Sequence, residues 1–160
     1  VTDALQLLMD KGNTIAHDTV TGWWKDTGTP EDIIHANRLV LDSIGAENQF
    51  LVEKDISTKG NIIVGSDAEI SQDSSITGPV IIGKNCKIGD GVKLGPYVSV
   101  GDNCTLRNCN IENSIIMQNC KIDARVNLSS SIISHSSQIE GSTISKKSQF
   151  LLGERTHLKL

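Results

Sequence analysis

The sequence predicts a mainly β protein, most of which is a coil of short parallel strands. An apolar residue recurs about every six positions between residues 64 and 150, and this period is neither that of a helix nor that of strand alternation. A small or compact residue stands two positions before each apolar one, so that both share a face of a strand. Gly, Asn, Asp and Ser crowd the positions between, where turns need bent or left-handed backbone. A fixed period of this kind is typical of a repeat architecture.

The segment before the repeats predicts a helix, a strand and a second helix. Residues 2–11 have an amphipathic pattern that Gly12 can end, and residues 14–24 have strand character. Pro30 begins the second helix, which Gly45 can stop, and residues 46–60 read as a connector. This predicts a small α/β piece over 1–55 and a repeat domain over 56–160. Because so short an α/β piece buries little surface and the chain begins at Val1, we expect it to be the end of a larger domain.

The repeats predict a prism with three sides. Three hexapeptides form one coil of 18 residues, so the chain offers about five coils, stacked about 4.8 Å apart. Shorter steps near 107–116, 128–133 and 139–144 are expected to tighten corners without breaking the coil. The apolar series is Val64, Ile70, Ile76, Ile82, Ile88, Leu94, Val100, Leu106, Ile111, Ile116, Ile122, Leu128, Ile133, Ile139, Ile144 and Phe150. The compact series is Ala68, Ser74, Val80, Cys86, Val92, Val98, Cys104, Cys109, Ser114, Cys120, Val126, Ser131, Ser137, Ser142 and Ser148.

The four cysteines all fall in the compact series, which indicates buried packing and not zinc or disulfide chemistry. Cys86, Cys104 and Cys120 are one coil apart and should stack on one side, with Cys109 on another. There is no CxxC pair and no His at ligand spacing. Free thiols favour a cytoplasmic location. The residues before the stacked cysteines predict an asparagine ladder at a turn; they are Asn85, Asn103 and Asn119.

Composition excludes several classes of protein. Aromatic residues make up 3% of the chain, so the core must be aliphatic, as a narrow prism requires. The net charge is −4 with both signs mixed, which argues against a nucleic-acid partner. No apolar run approaches the length of a membrane span, and no signal peptide is visible.

One stretch of the front segment carries a more specific signal. Residues 22–32 read GWWKDTGTPED, with Ala36-Asn37-Arg38 soon after. Together with 95–102 and 111–117, they resemble glucose-1-phosphate thymidylyltransferases of the long form, in which a left-handed parallel β-helix of hexapeptide repeats follows the catalytic domain. The resemblance covers nearly the whole chain, and it implies the left-handed coil, since parallel crossovers are otherwise right-handed.

The resemblance implies a reaction that joins a sugar 1-phosphate to a nucleoside triphosphate, here glucose 1-phosphate and dTTP, and releases pyrophosphate. Members hold Mg²⁺ with two aspartates, the second of which maps onto Asp26. A hard cation takes carboxylate oxygens and neutralises charge on phosphoryl groups. Nothing in the chain matches the family's Gly-x-Gly-Thr-Arg motif. We therefore expect no complete catalytic set and no transferase activity from this chain alone.

Two alternatives remain open on the sequence. Hexapeptide-repeat acetyltransferases use the same prism with a catalytic His as general base, and His135 is the candidate for acetyl transfer to a sugar phosphate. The coil can also be purely structural. Flat prism faces pack well against one another, so we expect a homo-oligomer formed through the β-helix.

Overall fold

Two helices precede the repeat region in the structure, a computed structural model that describes residues 2–22, 24–44, 57–141 and 146–160. Helix α1 spans Thr2–Asp10, and Gly12 follows it with φ +80°. Helix α2 spans Pro30–Ser43, and the hydroxyl of its N-cap, Thr29, accepts a hydrogen bond from the Asp32 amide. Both predicted helices are confirmed. Neither is long and apolar enough to cross a bilayer.

The strand predicted over 14–24 is wrong for the part of it that the structure describes. Residues 14–22 and 24 form neither helix nor strand. A strand needs a partner for its backbone groups, and no described strand pairs with this segment. Trp23, Gly45, residues 46–56, Ser142 and Ile144, which carry expectations from the sequence, lie outside the described residues.

The repeat region forms a parallel β-solenoid of about five turns, as the periodicity predicts. It fits the left-handed β-helix that the resemblance implies. Every strand pair is parallel. Its strands are β1 (Ser57–Lys59), β2 (Ile62–Val64), β3 (Glu69–Ile70), β4 (Ser75–Thr77), β5 (Val80–Ile82), β6 (Lys87–Ile88), β7 (Lys93–Leu94), β8 (Val98–Val100), β9 (Thr105–Glu112), β10 (Ser114–Ile116), β11 (Lys121–Ser129), β12 (Ile132–Ile133), β13 (Gln138–Gly141), β14 (Lys147–Ser148), β15 (Leu151–Leu152) and β16 (His157–Lys159).

The strands lie on three faces. The first face contains β2, β5, β8, β10, β12 and β15 in this order. The second face contains β3, β6, β13, β16 and the first halves of β9 and β11. The third face contains β1, β4, β7, β14 and the second halves of β9 and β11. Both long strands therefore run around the corner between the second and third faces.

The coil length varies around the predicted 18 residues. Ile62 pairs with Val80 and Val80 with Val98, a full 18-residue coil each time. Val98 pairs with Ser114 after 16 residues, and Ile115 with Ile132 after 17. The coil stays continuous through these short turns, where the β9–β11 register shifts between Asp123 and Val126. The predicted shorter steps near 107–116 and 128–133 thus change corners without breaking the coil, whereas the step near 139–144 extends outside the described residues.

The inner ladders form the hydrophobic core as predicted. From Ile76 to Ile139, every member of the apolar series is at most 2% exposed. The four cysteines are free and buried. The thiols of Cys86, Cys104 and Cys120 donate to carbonyl oxygens of Gly101, Met117 and Ser134 in the next coil, at 3.0–3.1 Å.

An asparagine ladder marks one corner, also as predicted. The Asn85 amide nitrogen donates to Asn103 Oδ1 at 3.2 Å, and that of Asn103 donates to Asn119 Oδ1 at 3.3 Å. The three residues have φ of 54°, 58° and 61°. Asn tolerates this left-handed conformation better than most side chains, so the ladder combines the turn geometry with a hydrogen bond between coils.

Candidate functional site

The first face of the β-helix is apolar on its outside as well as its inside. Its outward positions are Ile63, Ile81, Ser99, Ile115, Ile132 and Leu151, one from each successive strand. An apolar outer column would remain in water unless another element covered it. Helix α2 covers much of it, because Leu41 is 1% exposed and Ile34 is 7% exposed.

Helix α2 crosses the strands of the first face. Near its C-terminal end, Leu41 and Ile44 border a small space together with Ile63 and Ile81. Near its other end, Ile34 borders a recess of about 200 Å³ with Asn113 of the corner beside β10. The helix thus extends over at least β2, β5, β8 and β10.

Polar contacts fix α2 on this face. The Ser99 hydroxyl donates to Asn37 Oδ1 at 2.6 Å. Arg38 donates from Nε to Asn113 Oδ1 at 2.5 Å, and its guanidinium carbon lies 5.5 Å from the centre of the Tyr97 ring. The Asn113 amide in turn donates to the Ser130 hydroxyl at 2.8 Å. These contacts join the helix to three successive coils.

The contact around Tyr97 extends this network along α2. A hydrogen bond with Asp42 is the main reason why the pKa of Tyr97 is raised above its ordinary value. The phenol therefore stays protonated and keeps donating to the carboxylate. Asp42 and Arg38 lie one helical turn apart, so Tyr97 contacts two neighbouring side chains of the same helix face.

The segment that carries Asp26 is tied to the start of α2. Lys25 forms an ion pair with Asp32, and Thr29 Oγ1 donates to the same carboxylate at 2.7 Å. The Lys25 ammonium is the main cause that holds the pKa of Asp32 below its ordinary value. The residues on both sides of Asp26 are thereby fixed to the first turn of α2, while the Asp26 side chain itself is exposed.

The described residues do not form a complete metal site around Asp26. Within ranges 2–22, 24–44, 57–141 and 146–160, no three His, Cys, Asp or Glu side chains lie where they could hold a metal ion together. The described residues around Asp26 therefore do not by themselves form a donor set that fits Mg²⁺.

The other candidate, His135, lies at a corner of the β-helix. The side chain is half-buried, and its Nδ1 is buried without a hydrogen-bond partner in the described part of the chain. Its carbonyl oxygen accepts from the Arg155 amide at 2.9 Å. A general-base histidine normally has its second nitrogen held by an acceptor, and His135 shows no such partner. The structure does not place His135 and Asp26 in one site.

Comparison with known proteins agrees with this architecture. The GMPPB C-terminal domain model matches residues 76–159, more than half of the chain. The chain belongs to the GMPPB C-terminal domain family. The matched residues begin within β4 and include β5 to β16, so the family assignment rests on the β-helix.

Three relatives extend the comparison. It is 37% identical over 162 residues to the low-salt glycan biosynthesis nucleotidyltransferase Agl11 of Haloferax volcanii, covering 100% of the chain and 45% of that protein. It is 36% identical over 70 residues to a glucose-1-phosphate thymidylyltransferase of Streptomyces griseus, covering 44% of the chain and 20% of that protein. A bifunctional sugar-1-phosphate nucleotidylyltransferase/acetyltransferase of Sulfurisphaera tokodaii is 37% identical over 71 residues, covering 44% of the chain and 18% of that protein. The chain thus spans less than half the length of these curated relatives.

Sequence reasoning missed the docking of α2 on the first face. The signal was present, because on this face alone the outward residues between the inner ladder positions are repeatedly Ile. The six-residue period describes the inner positions only. Reading the outer columns face by face would have predicted that a helix or a partner covers this one.

Proposed function

We propose that the chain is the C-terminal part of a sugar-1-phosphate nucleotidylyltransferase that forms dTDP-glucose and pyrophosphate from glucose 1-phosphate and dTTP. The observation that carries the proposal is the attachment of α2 to the first face through Leu41, Asn37 and Arg38. That helix directly follows the Asp26 segment. On this proposal, the β-helix holds the end of the catalytic domain in a fixed place.

The relatives support this proposal at the level of the reaction class. Agl11 is named a nucleotidyltransferase, and its match covers the whole of this chain, including the Asp26 segment. The Streptomyces griseus relative is named a glucose-1-phosphate thymidylyltransferase. We therefore propose dTTP as the nucleotide and Asp26 as one carboxylate ligand of Mg²⁺, with the remaining ligands supplied from outside the described residues. Bound Mg²⁺ would neutralise charge on the phosphates.

The test measures pyrophosphate release by the natural polypeptide that contains this chain. Glucose 1-phosphate is supplied with dTTP, UTP, CTP or GTP in turn, and we expect the highest kcat/KM with dTTP. Asp26→Asn should lower kcat/KM by about a hundredfold or more, because a neutral amide is a poor ligand for a hard cation. Asp18→Asn, an exposed aspartate of the same irregular segment, is the control and should keep full activity.

Two outcomes would contradict the proposal. One is pyrophosphate release by the isolated 160-residue chain, since we propose that it supplies only Asp26 to the metal site. The other is full activity of Asp26→Asn.

We also propose that the β-helix forms a homo-oligomer. Light scattering that shows a strict monomer would argue against it.

Acetyl transfer to a sugar phosphate is the second candidate. It is favoured by the match to the Sulfurisphaera tokodaii relative, whose name includes an acetyltransferase activity. Acetyl-CoA and glucosamine 1-phosphate are the substrates to try. Activity that is lost in His135→Ala and kept in His157→Ala would establish this reading.

A further inference from the structure

The third face of the β-helix carries a groove that the proposed function does not use. The groove has a volume of about 450 Å³, and its lining residues all belong to the β-helix. Its polar lining comes from four successive strands, β7, β9, β11 and β14. The side chains that matter are Lys93, Asn110, Glu112, Asn127 and Lys147.

Two asparagines form the middle of the groove. Asn110 donates from Nδ2 to Asn127 Oδ1 at 2.6 Å. They occupy the same outward column on neighbouring coils, since the two residues are paired in register. A carboxamide carries donors and acceptors together, so this pair offers groups of the kind that sugar hydroxyls bind.

The charges along the groove are unequal. Glu112 is neutralised by Lys147 at 2.6 Å and also accepts from the Ser129 hydroxyl at 3.0 Å. Its pKa is lowered chiefly by Lys147, so it stays ionised within this pair. Lys93 takes part in none of the ion pairs found among the described residues, although Lys87 and Lys121 on the second face are both paired. The groove therefore has one cation left for an anionic ligand.

A glycine and a glutamate line the groove beside Lys93. Gly95 follows Lys93 by two residues, and Glu112 belongs to the neighbouring coil. A Cβ at Gly95 would lie 1.8 Å from the carbonyl oxygen of Thr77 and 2.9 Å from Cγ2 of Val80, so the backbone at this position admits only glycine.

We infer that this groove binds a phosphorylated sugar, with the phosphate at Lys93 and the sugar hydroxyls along Asn110 and Asn127. Neighbouring strands are about 4.8 Å apart, so the three side chains span about 10 Å, a length that suits a hexose phosphate. An ammonium is a good point charge for a phosphate. This site is separate from the Asp26 segment and does not depend on the proposed transferase reaction.

The test follows the side-chain amide signals of Asn110 and Asn127 by NMR in the natural polypeptide labelled at asparagine. Glucose 1-phosphate should shift both signals with saturation, while glucose alone should not. Lys93→Glu should weaken this binding by at least about tenfold, because a charge-assisted hydrogen bond is replaced by repulsion. Lys87→Glu, an exposed lysine of the second face, is the matched control and should leave the midpoint unchanged.

Further measurements separate the contribution of the sugar from that of the phosphate. Asn110→Ala, read from the Asn127 signal, should reduce the affinity for glucose 1-phosphate towards that for inorganic phosphate. Equal midpoints for inorganic phosphate and glucose 1-phosphate in the unaltered protein would overturn the sugar contribution. Absence of any saturable shift, or an identical midpoint in Lys93→Glu, would overturn the site. These signals report on the third face directly, so loss of transferase activity in Asp26→Asn leaves the readout intact.

Discussion

The first and second faces of the β-helix share one interior and differ on the outside. Inside, both present the same ladder of Ile, Leu and Val side chains. Outside, the first face carries Ile63, Ile81 and Ile115, whereas the second carries ion pairs such as Lys121–Glu140 at 2.9 Å. The inner positions therefore build the coil, and the outer positions decide whether a face meets a helix or water.

The largest expected effects come from the interior and should be equal on both faces. Ile116 on the first face and Ile122 on the second are 1% and 0% exposed. Replacing either with Ala should lower the free energy of unfolding by about 3 kcal/mol, because each leaves a cavity in a close-packed core. Urea unfolding measures both. A difference above about 1.5 kcal/mol between the two variants would show that the inner ladders are not equivalent.

The next effect concerns the cover of the first face. Leu41→Ala should cost about 2–4 kcal/mol at the contact between α2 and the β-helix. Hydrogen exchange of the α2 amides should speed up, while the amides of β8 and β10 should keep their protection. Val40→Ala is the neighbouring control, since Val40 is 43% exposed. Unchanged exchange in Leu41→Ala would mean that α2 does not depend on this face.

A smaller effect is expected from the polar contact beneath α2. Ser99→Ala removes the hydroxyl that donates to Asn37 and should cost about 1–2 kcal/mol. A double-mutant cycle with Asn37→Ala isolates the pair. Thr105→Val, at an outward position of the second face, is the control and should cost less. A coupling energy near zero would show that the hydrogen bond between Ser99 and Asn37 does not help to hold α2 on this face.

The smallest effect belongs to the second face and depends on pH. Lys121 is the main cause that lowers the pKa of Glu140 below its ordinary value of 4.5. A carboxyl group with a lowered pKa stabilises the fold above its unfolded pKa and loses this contribution as the pH falls through the folded one. Lys121→Gln should therefore cost a little at neutral pH, and this cost should disappear as the pH falls through the lowered pKa of Glu140. A stability difference that grows in acid, or that added salt fails to reduce, would contradict this sign.

The parts predicted from sequence are those in which each residue repeats its neighbour's environment. Inner residues such as Ile88 and Leu106 pair with a similar apolar residue one coil away, so periodicity alone locates them. The strand expected near Val20 was wrong because strand character needs a partner, which periodicity does not reveal. The docking of α2 depends on Leu41 meeting Ile63 and Ile81, residues far from it in the chain. The metal role of Asp26 stays a prediction from its motif alone, because the described residues bring no group of three metal-binding side chains together.

Because α2 crosses the first face, it also constrains the number of coils that can lie beneath it. Its 14 residues extend about 21 Å, close to the height of four coil steps. Adding or removing a whole coil under the helix would move Ser99 and Asn113 by about 4.8 Å relative to Asn37 and Arg38. The coils beyond its reach carry no such constraint. Variation in repeat number among relatives should therefore accumulate at the far end of the solenoid, while the stretch below the helix keeps a constant count.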